Sequence, residues 1–475
     1  MKHPFNHRDC QGQTTFQLIL PLVLLLFVLV GFAVVIPSLT PAKAVALAGG
    51  VVVFVLSFVS TEIALYILIF SMLLSPEFIV GMTQTSTGRG VTLRMDDFLI
   101  VVIGFSWIAR MAINKELGLF LKTPLNKPIG FYLTICLVST LIGAFSGRVD
   151  LKTGFFYVLK YFEYVIIFFM VSNHLRERRQ LRNYVWAMLL TCAVVSVIGM
   201  VNVPAGERVS APFEGEVGEP NTFGGYLVFM ICICAGLYLA TDSFRNQLIC
   251  AFLILLFSVP LFYTQSRSSY LAAIPAVLSF IWLSKKRYWV LPVILLIGLL
   301  LPYIAPHPAK ERVTYTFTQG RDRKDVVSIA GVKLDTSTSA RLVSWQEAIE
   351  DLGEHPILGY GVTGYKFVDA QYVRVAAETG LVGLVIFLFL MAIIFRESIR
   401  VQKDAKDPFN RGLAIGFVAG FIGLLFHAIG ANTFIIVRIM EPFWFVTAMV
   451  MAIPSLESVS HEVEVPAVMT SQTIH

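Results

Sequence analysis

Charge is scarce in this chain. Asp, Glu, Lys and Arg make up 14% of its 475 residues, where a soluble domain carries about 25%. That shortage excludes a water-soluble enzyme, a nucleic-acid partner and a disordered scaffold. Cysteine is scarce as well, and all but Cys10 of the set Cys10, Cys136, Cys192, Cys232, Cys234 and Cys250 lie inside apolar runs. A thiol there behaves as a small hydrophobe, so no disulfide framework or zinc spacing is present and no metal site is expected. No internal repeat of the kind that marks many secondary transporters is visible either.

Apolar sequence is abundant instead. Hydrophobic residues reach 56% and the mean hydropathy is +0.74. Apolar runs recur from Phe16 almost to Pro454, each near the ~20 residues needed to cross a bilayer. The candidate spans are 16–36, 44–60, 63–80, 98–113, 129–145, 155–172, 184–203, 222–240, 246–264, 269–284, 288–305, 380–396, 411–430 and 434–453. If 44–80 is one kinked segment and some short runs do not cross, the count falls to 12–14. The fold class is an all-α, polytopic transmembrane helix bundle. The first span follows a polar leader, Met1 to Gln13, without a small-residue cleavage site, and reads as a retained helix.

Basic residues set the orientation. With a cytoplasmic N-terminus, Arg110 to Lys127, Arg176 to Arg182, Lys285 to Arg287 and Arg396 to Arg411 all fall on the inside, as the positive-inside rule requires. The net charge of +6 is the ordinary result of that distribution. The organisation is then an N-terminal bundle over 1–305, an extracytoplasmic loop over 306–379, C-terminal helices over 380–453 and a disordered cytoplasmic tail over 454–475. Within the loop, Ser339 is placed to cap a helix with Leu342, Trp345, Ile349 and Leu352 on one face and Gly353 at its end. Such a helix suits the rim of a membrane bundle. The polar stretch from Pro306 to Thr338 reads as mobile.

Two arginines stand on the wrong side of that topology. Arg208 lies in the outside loop 204–221, near Glu207 and Glu214, and Arg267 lies in the short outside turn after 246–264. Short translocated loops avoid arginine, and a guanidinium there is a candidate anion site because its planar fork grips phosphate oxygens in pairs. Pairing with lipid head groups or a nearby carboxylate is the competing account.

The sequence around them is Arg208-Val-Ser-Ala-Pro-Phe213, then Gly218-Glu-Pro220-Asn221-Thr-Phe-Gly224-Gly225-Tyr226, and Tyr263-Thr264-Gln265-Ser266-Arg267-Ser268-Ser269. Further on come Ser344-Trp345, His355-Pro356-Ile-Leu-Gly359-Tyr-Gly361, Asp369-Ala-Gln371-Tyr372-Val-Arg374 and Glu378-Thr379-Gly380-Leu-Val-Gly383. This ordered set, from about Asp96 to the last span, resembles the O-antigen ligase and polymerase superfamily of bacterial membrane glycosyltransferases. The resemblance implies a GT-C-like bundle in the bacterial cytoplasmic (inner) membrane with its site facing the periplasm or exterior. It implies a polyprenyl-pyrophosphate-linked glycan donor, a glycan or lipid acceptor, membrane lipids as surroundings, and no cofactor.

The chemistry agrees. Transfer from a lipid pyrophosphate breaks the bond from the anomeric carbon to a phosphate oxygen, and fixed cations stabilise the charge that develops there. Arg208 and Arg267 are the expected pyrophosphate ligands, with Arg374 and Arg341 as further cations. No Asp-x-Asp motif lies in a membrane-adjacent loop, so arginine is expected to replace a metal ion. The acceptor hydroxyl needs a base. Where the resembled ligases carry His-Asn, about nine residues before the Glu-x-Gly entry, this chain has Asp369-Ala370, which makes Asp369 the candidate base and favours a polymerase over a strict ligase. His355 is another candidate for the base, although His-Pro is more often a turn element, and with Asn221, Tyr372 and Glu378 it completes the candidate binding residues.

Other ionisable residues fall within spans, where they are costly. Lys160 and Glu163 are spaced to form a local clasp, as are Arg438 and Glu441. His427 stands alone and is expected to hydrogen-bond a neighbouring helix. A lipid-linked oligosaccharide transporter is the rival function, but it needs a polar path through the midplane that the few, locally paired charges do not provide.

Overall fold

The computed structural model describes residues 41–80, 91–114, 122–201, 203, 208–214, 218–319, 327–329, 332–333 and 335–463. The expected first span, 16–36, lies outside them. The chain divides into two compact units, residues 1–68 with 96–121, and residues 69–95 with 122–475.

The first contains helix α1 (Pro41–Val59), the start of α2 (Thr61–Leu74) and α3 (Met95–Asn114). The Ser106 hydroxyl donates to the Phe54 carbonyl at 3.1 Å, and Arg110 donates to the Val59 carbonyl at 3.2 Å. The third expected span, 63–80, is not continuous helix. It stops at Leu74, and Glu77–Val80 (β1) pairs antiparallel with Val91–Arg94 (β2).

The second unit holds α4 (Asn126–Phe145), α5 (Leu151–His174), α6 (Arg178–Val201), α7 (Pro220–Ala240), α8 (Phe244–Tyr263), α9 (Arg267–Leu283) and α10 (Arg287–Ile304). After these come α11 (His307–Thr318), the small hairpin β3 (Ser328–Ile329) and β4 (Val332–Lys333), α12 (Thr336–Asp351), α13 (Gln371–Asp404), α14 (Pro408–Gly430) and α15 (Val437–Val463). Among the described residues nine helices, α4–α8, α10 and α13–α15, are long and apolar enough to cross a membrane. The protein is a polytopic all-α membrane protein with two minor hairpins.

Packing explains why these helices associate. In lipid, close backbone approach replaces the hydrophobic drive. Gly412, Gly416 and Gly420 recur one turn apart on α14, and α7 lies against them so closely that a Cβ on Gly236 would fall 2.3 Å from the Gly412 carbonyl. α10 does the opposite: Val290 is its one buried residue, and its leucines and Val293 face outward. Exposed apolar surface on that scale suits contact with lipid.

Helix ends sort the loops into two sets. At one end Arg182 pairs with Asp407 at 2.8 Å, Gln402 donates to the Leu283 carbonyl at 3.3 Å, and Glu457 accepts from the Lys406 N–H at 2.9 Å. Most of the basic clusters lie there. Of the tail expected over 454–475, the residues up to Val463 are still α15 and the rest lies outside the described residues; Glu457 also binds Asn410 at 2.8 Å. At the other end lie the turn 264–266 and the described residues of the loop 208–219 and of the segment 305–370.

The described residues of that segment are more ordered than its polarity suggests, while 320–326, 330–331 and 334 lie outside them. Half of the stretch expected to be mobile is α11 and a hairpin. Asp335, not Ser339, caps α12 by accepting the Thr338 N–H at 3.3 Å, while the Ser339 hydroxyl accepts from Val327. α12 packs inward through Ala348 and Trp345 onto Tyr365, Val368, Ala370 and Ala377. Ile349, placed by periodicity on the same face, is 62% exposed, so α12 does not bury the stripe its spacing suggested.

The His355–Gly361 loop wedges between α4 and the start of α13. The Ser139 hydroxyl donates to the Leu358 carbonyl at 2.6 Å and the Glu378 carbonyl at 2.7 Å. Gly380 takes φ 70° in the middle of α13. A Cβ there would meet the Ile357 carbonyl oxygen at 2.2 Å. The glycines of both motifs let two backbones touch.

Candidate functional site

A polar cavity of about 410 Å³ opens at the end opposite Arg182, Gln402 and Asp407. Its walls come from β1–β2 (Glu77, Arg94), α5 (Tyr157, Lys160), the start of α7 (Asn221), the α13 approach (Asp369, Arg374) and α15 (Arg438). Each cation that lines it has a carboxylate nearby. Arg94 lies 3.8 Å from Glu77, Lys160 3.5 Å from Glu163, Arg374 2.9 Å from Glu378 and Arg438 3.7 Å from Glu214.

The lining is fixed by hydrogen bonds from neighbouring elements. Asn432 donates to the Val368 carbonyl and Gln371 accepts the Phe434 N–H, both at 2.9 Å, which ties the chain on either side of Asp369 to the 430–436 turn. Arg438 donates to the Pro212 carbonyl at 2.7 Å and the Phe213 carbonyl at 3.1 Å. Glu214 therefore belongs to Arg438 rather than to Arg208, contrary to the neighbourhood suggested by sequence. It also accepts the Glu219 N–H at 2.8 Å. Burial pushes the Glu214 carboxyl up to about 7, against the opposing pull of Arg438.

A second polar cluster lies beside the α8–α9 turn. Ser266 caps α9 by accepting the Ser269 N–H at 3.3 Å, so that Arg267 occupies the first helical position. Arg267 pairs with the buried Asp335 at 2.7 Å and donates to the Thr316 hydroxyl at 2.9 Å. Arg208 donates to the Thr264 carbonyl at 3.0 Å and the Gln265 carbonyl at 3.4 Å, next to Arg267. Arg341 pairs with Asp369 at 2.6 Å. Partial burial, followed by the charges of Arg312, Arg267 and Arg341, holds the Arg208 guanidinium below its ordinary value. Burial opposes ionisation of Asp335, but the Thr338 and Arg267 contacts outweigh it and hold its carboxyl below the usual range.

The structure thus divides the candidate residues. Asp369, Asn221 and Arg374 line the cavity; Arg208 and Arg267 lie together in the arginine cluster; Arg341–Asp369 joins the two. Glu378 holds Arg374 and accepts the Thr363 N–H at 3.3 Å. Tyr372 spends its hydroxyl on the Leu425 carbonyl at 2.7 Å, and His355 packs edge-on against Tyr360 at 4.7 Å, neither in the cavity wall. His427 bonds Thr433 at 2.8 Å and Ser269 at 3.3 Å, as its burial required. Sequence reasoning missed Arg312, Asp335 and Arg94; only Asp335 carried a signal, as an acid just before a helix start.

An all-α bundle with a charged, polar cavity at one end defines a polytopic membrane protein. Residues 251–388 match the family model of O-antigen ligase. That segment runs from α8 into α13 and includes Arg267, Arg341, Asp369 and Glu378; over it the chain is similar to the O-antigen ligase family. Arg208 and Asn221 lie before it. No curated protein matches the chain.

Proposed function

We propose that this protein joins or polymerises polyprenyl-pyrophosphate-linked glycans on the extracytoplasmic face of the bacterial cytoplasmic membrane. The observation that carries the reading is the pairing of Arg341 with Asp369 at 2.6 Å, which sets a candidate base in the cavity wall next to a cluster of arginines. The positive-inside distribution of the basic loops supports placing that end outside.

In this reading the lipid diphosphate lies against the arginine cluster and the glycan enters the cavity. Asp369 accepts a hydrogen bond from the acceptor hydroxyl and takes its proton as oxygen bonds to the anomeric carbon. The bond from that carbon to the phosphate oxygen breaks, and the electron pair leaves with the diphosphate. The arginines are fixed in advance, so their attraction strengthens as that charge develops. They supply the charge that a metal ion supplies elsewhere.

The test is purified protein in liposomes supplied with polyprenyl-pyrophosphate glycan, with products sized on a gel. A ladder of longer glycans supports polymerisation, and one shifted acceptor band supports ligation. Movement of the lipid-linked glycan across the bilayer with no new bond would reject transferase activity in favour of a transporter.

A further inference from the structure

A small recess lies beside the cavity and shares a wall with it. Tyr157 on α5, Phe367 in the loop before α13 and Arg374 at the start of α13 line both spaces. Thr153, Thr363 and Glu378 line the recess alone. The loop that carries Phe367 is fixed in advance. The Tyr365 hydroxyl donates to the Asp351 carboxylate and Lys366 to Glu347, both on α12, while Asn432 donates to the Val368 carbonyl at 2.9 Å. Thr363 takes φ 67°, which a β-branched residue rarely adopts, and its N–H donates to Glu378 at 3.3 Å. Strain of that kind collects at ligand sites.

Two observations point to a ligand with both an apolar face and hydroxyls. Phe367 keeps 39% of its surface exposed in a largely polar wall, next to the half-buried Tyr157, whose ring centroid lies 6.0 Å from the Arg374 guanidinium. Arg374 itself is 7% exposed. Its Nε donates to Glu378 at 2.9 Å, but its Nη1 is buried with no hydrogen-bond acceptor among the described residues. A guanidinium N–H left so is costly. Glu378 neutralises Arg374, so what remains to offer is a hydrogen-bond donor rather than a net charge. A pyranose presents a face of C–H groups that stacks on the electron-rich face of an aromatic ring, and hydroxyls at its rim that accept from N–H groups. An anion would be repelled by Glu378, and an acyl chain would leave Nη1 without an acceptor.

We propose that Tyr157, Phe367 and Arg374 form a saccharide subsite for the acceptor glycan, one sugar removed from the hydroxyl that reacts. Position assigns the acceptor. Phe367 stands two residues before Asp369, the candidate base, and both line the cavity. Two residues of chain span at most about 7 Å, the reach of a single sugar ring. A sugar on Phe367 therefore sets its neighbour at Asp369. This rests on the transferase reading for the acceptor role, and adds that the acceptor is itself a glycan rather than a bare lipid.

The experiment is saturation-transfer NMR and affinity titration on the full chain in nanodiscs. The probe is the oligosaccharide freed by mild acid from the lipid-linked glycan of the transfer assay, which carries neither lipid nor phosphate. Irradiating the aromatic protons of the protein is expected to saturate the C–H protons of the bound sugar. Phe367→Leu keeps an apolar side chain and loses the ring, and Arg374→Lys keeps a cation for Glu378 and loses the spare N–H. Each is expected to weaken glycan binding by about tenfold, and Phe367→Tyr to retain it. Glu311→Gln, an exposed change on α11, is expected to leave it unchanged. Thermal unfolding separates misfolding from lost binding, and Phe367→Leu serves where Arg374→Lys does not fold. With donor and acceptor varied separately in the transfer assay, Phe367→Leu is expected to raise the acceptor KM more than it lowers kcat. Wild-type affinity in folded Phe367→Leu overturns the subsite. So does a wild-type protein that does not bind the probe, or a KM raised for the donor and not for the acceptor. Glycan binding that depends on Phe367 without any new glycosidic bond sinks the transferase reading and leaves saccharide binding standing. Transfer with an unchanged acceptor KM in Phe367→Leu does the reverse.

Discussion

Arg341 and Asp369 form a 2.6 Å ion pair that joins two elements far apart in sequence, the second turn of α12 and the loop just before α13. The carboxylate lines the cavity and the guanidinium belongs to the arginine cluster. In the proposed reaction, this one interaction links the candidate base to the arginines proposed to face the diphosphate.

The two partners are therefore expected to differ on substitution. Asp369→Asn keeps the shape and removes the base, and is expected to lower kcat about 10²–10⁴-fold with little change in KM. Arg341→Ala leaves the carboxylate in place and is expected to cost less. Steady-state kinetics on a defined lipid-linked glycan measures both. If Arg341→Ala proved the more damaging change, Asp369 would lose its role as base.

Arg208 contributes charge from outside the segment that matches the ligase family. Arg208→Ala is expected to lower turnover by about 10²–10³-fold, the usual cost of one lost electrostatic donor at a developing anion. Arg267→Ala is expected to abolish product too, through loss of the Asp335 and Thr316 contacts. Expression and membrane insertion should be unaffected in both. Near-normal activity in both variants would remove the arginine cluster from the reaction.

How much of this was legible beforehand follows from what periodicity and charge report. The lipid-facing helices were visible because their composition alone specifies them; α10 is apolar on nearly every side and buries almost nothing. The hairpin after Leu74 was not, because Phe78, Ile79 and Val80 suit a strand or a span equally well. The continuation of α15 past Pro454 was hidden by the proline and the glutamates that follow, one of which, Glu457, pins the turn at 406–410. At the site, Arg208, Arg267 and Asp369 stood out by sidedness and motif. Arg312 and Asp335 did not, because their pairing depends on how a polar loop folds back on the bundle.

The loop motif can be tested through its backbone. Gly380 combines φ 70° with a 2.2 Å approach of any added Cβ to the Ile357 carbonyl oxygen. Gly380→Ala is therefore expected to destabilise the protein by at least about 1–3 kcal/mol, the usual range for a strained backbone residue. His355→Ala leaves the glycine contacts intact and is expected to be mild, since the ring packs on Tyr360 outside the cavity. Thermal unfolding in detergent compares the two. A His355 variant as unstable as the Gly380 variant would show that the loop depends on the imidazole rather than on close backbone approach.

Glu214 should give the fold a pH dependence. Burial raises its carboxyl from 4.5 to about 7, so between those values the folded protein holds a proton that the unfolded chain releases. Stability from this group is fully present below the ordinary carboxylate value and declines as pH rises through about 7. The charged groups that face it are Arg438 on α15, Glu219 at the start of α7 and Arg94 at the end of β2. Glu214→Gln mimics the protonated form and keeps an acceptor for the Glu219 N–H. Wild-type protein is expected to lose thermal stability between about pH 5 and pH 8, and the Gln variant to show a flatter profile and the larger relative stability at the alkaline end. Parallel profiles for the two proteins would mean that Arg438 keeps Glu214 ionised throughout, with its 3.7 Å pairing outweighing the cost of burial.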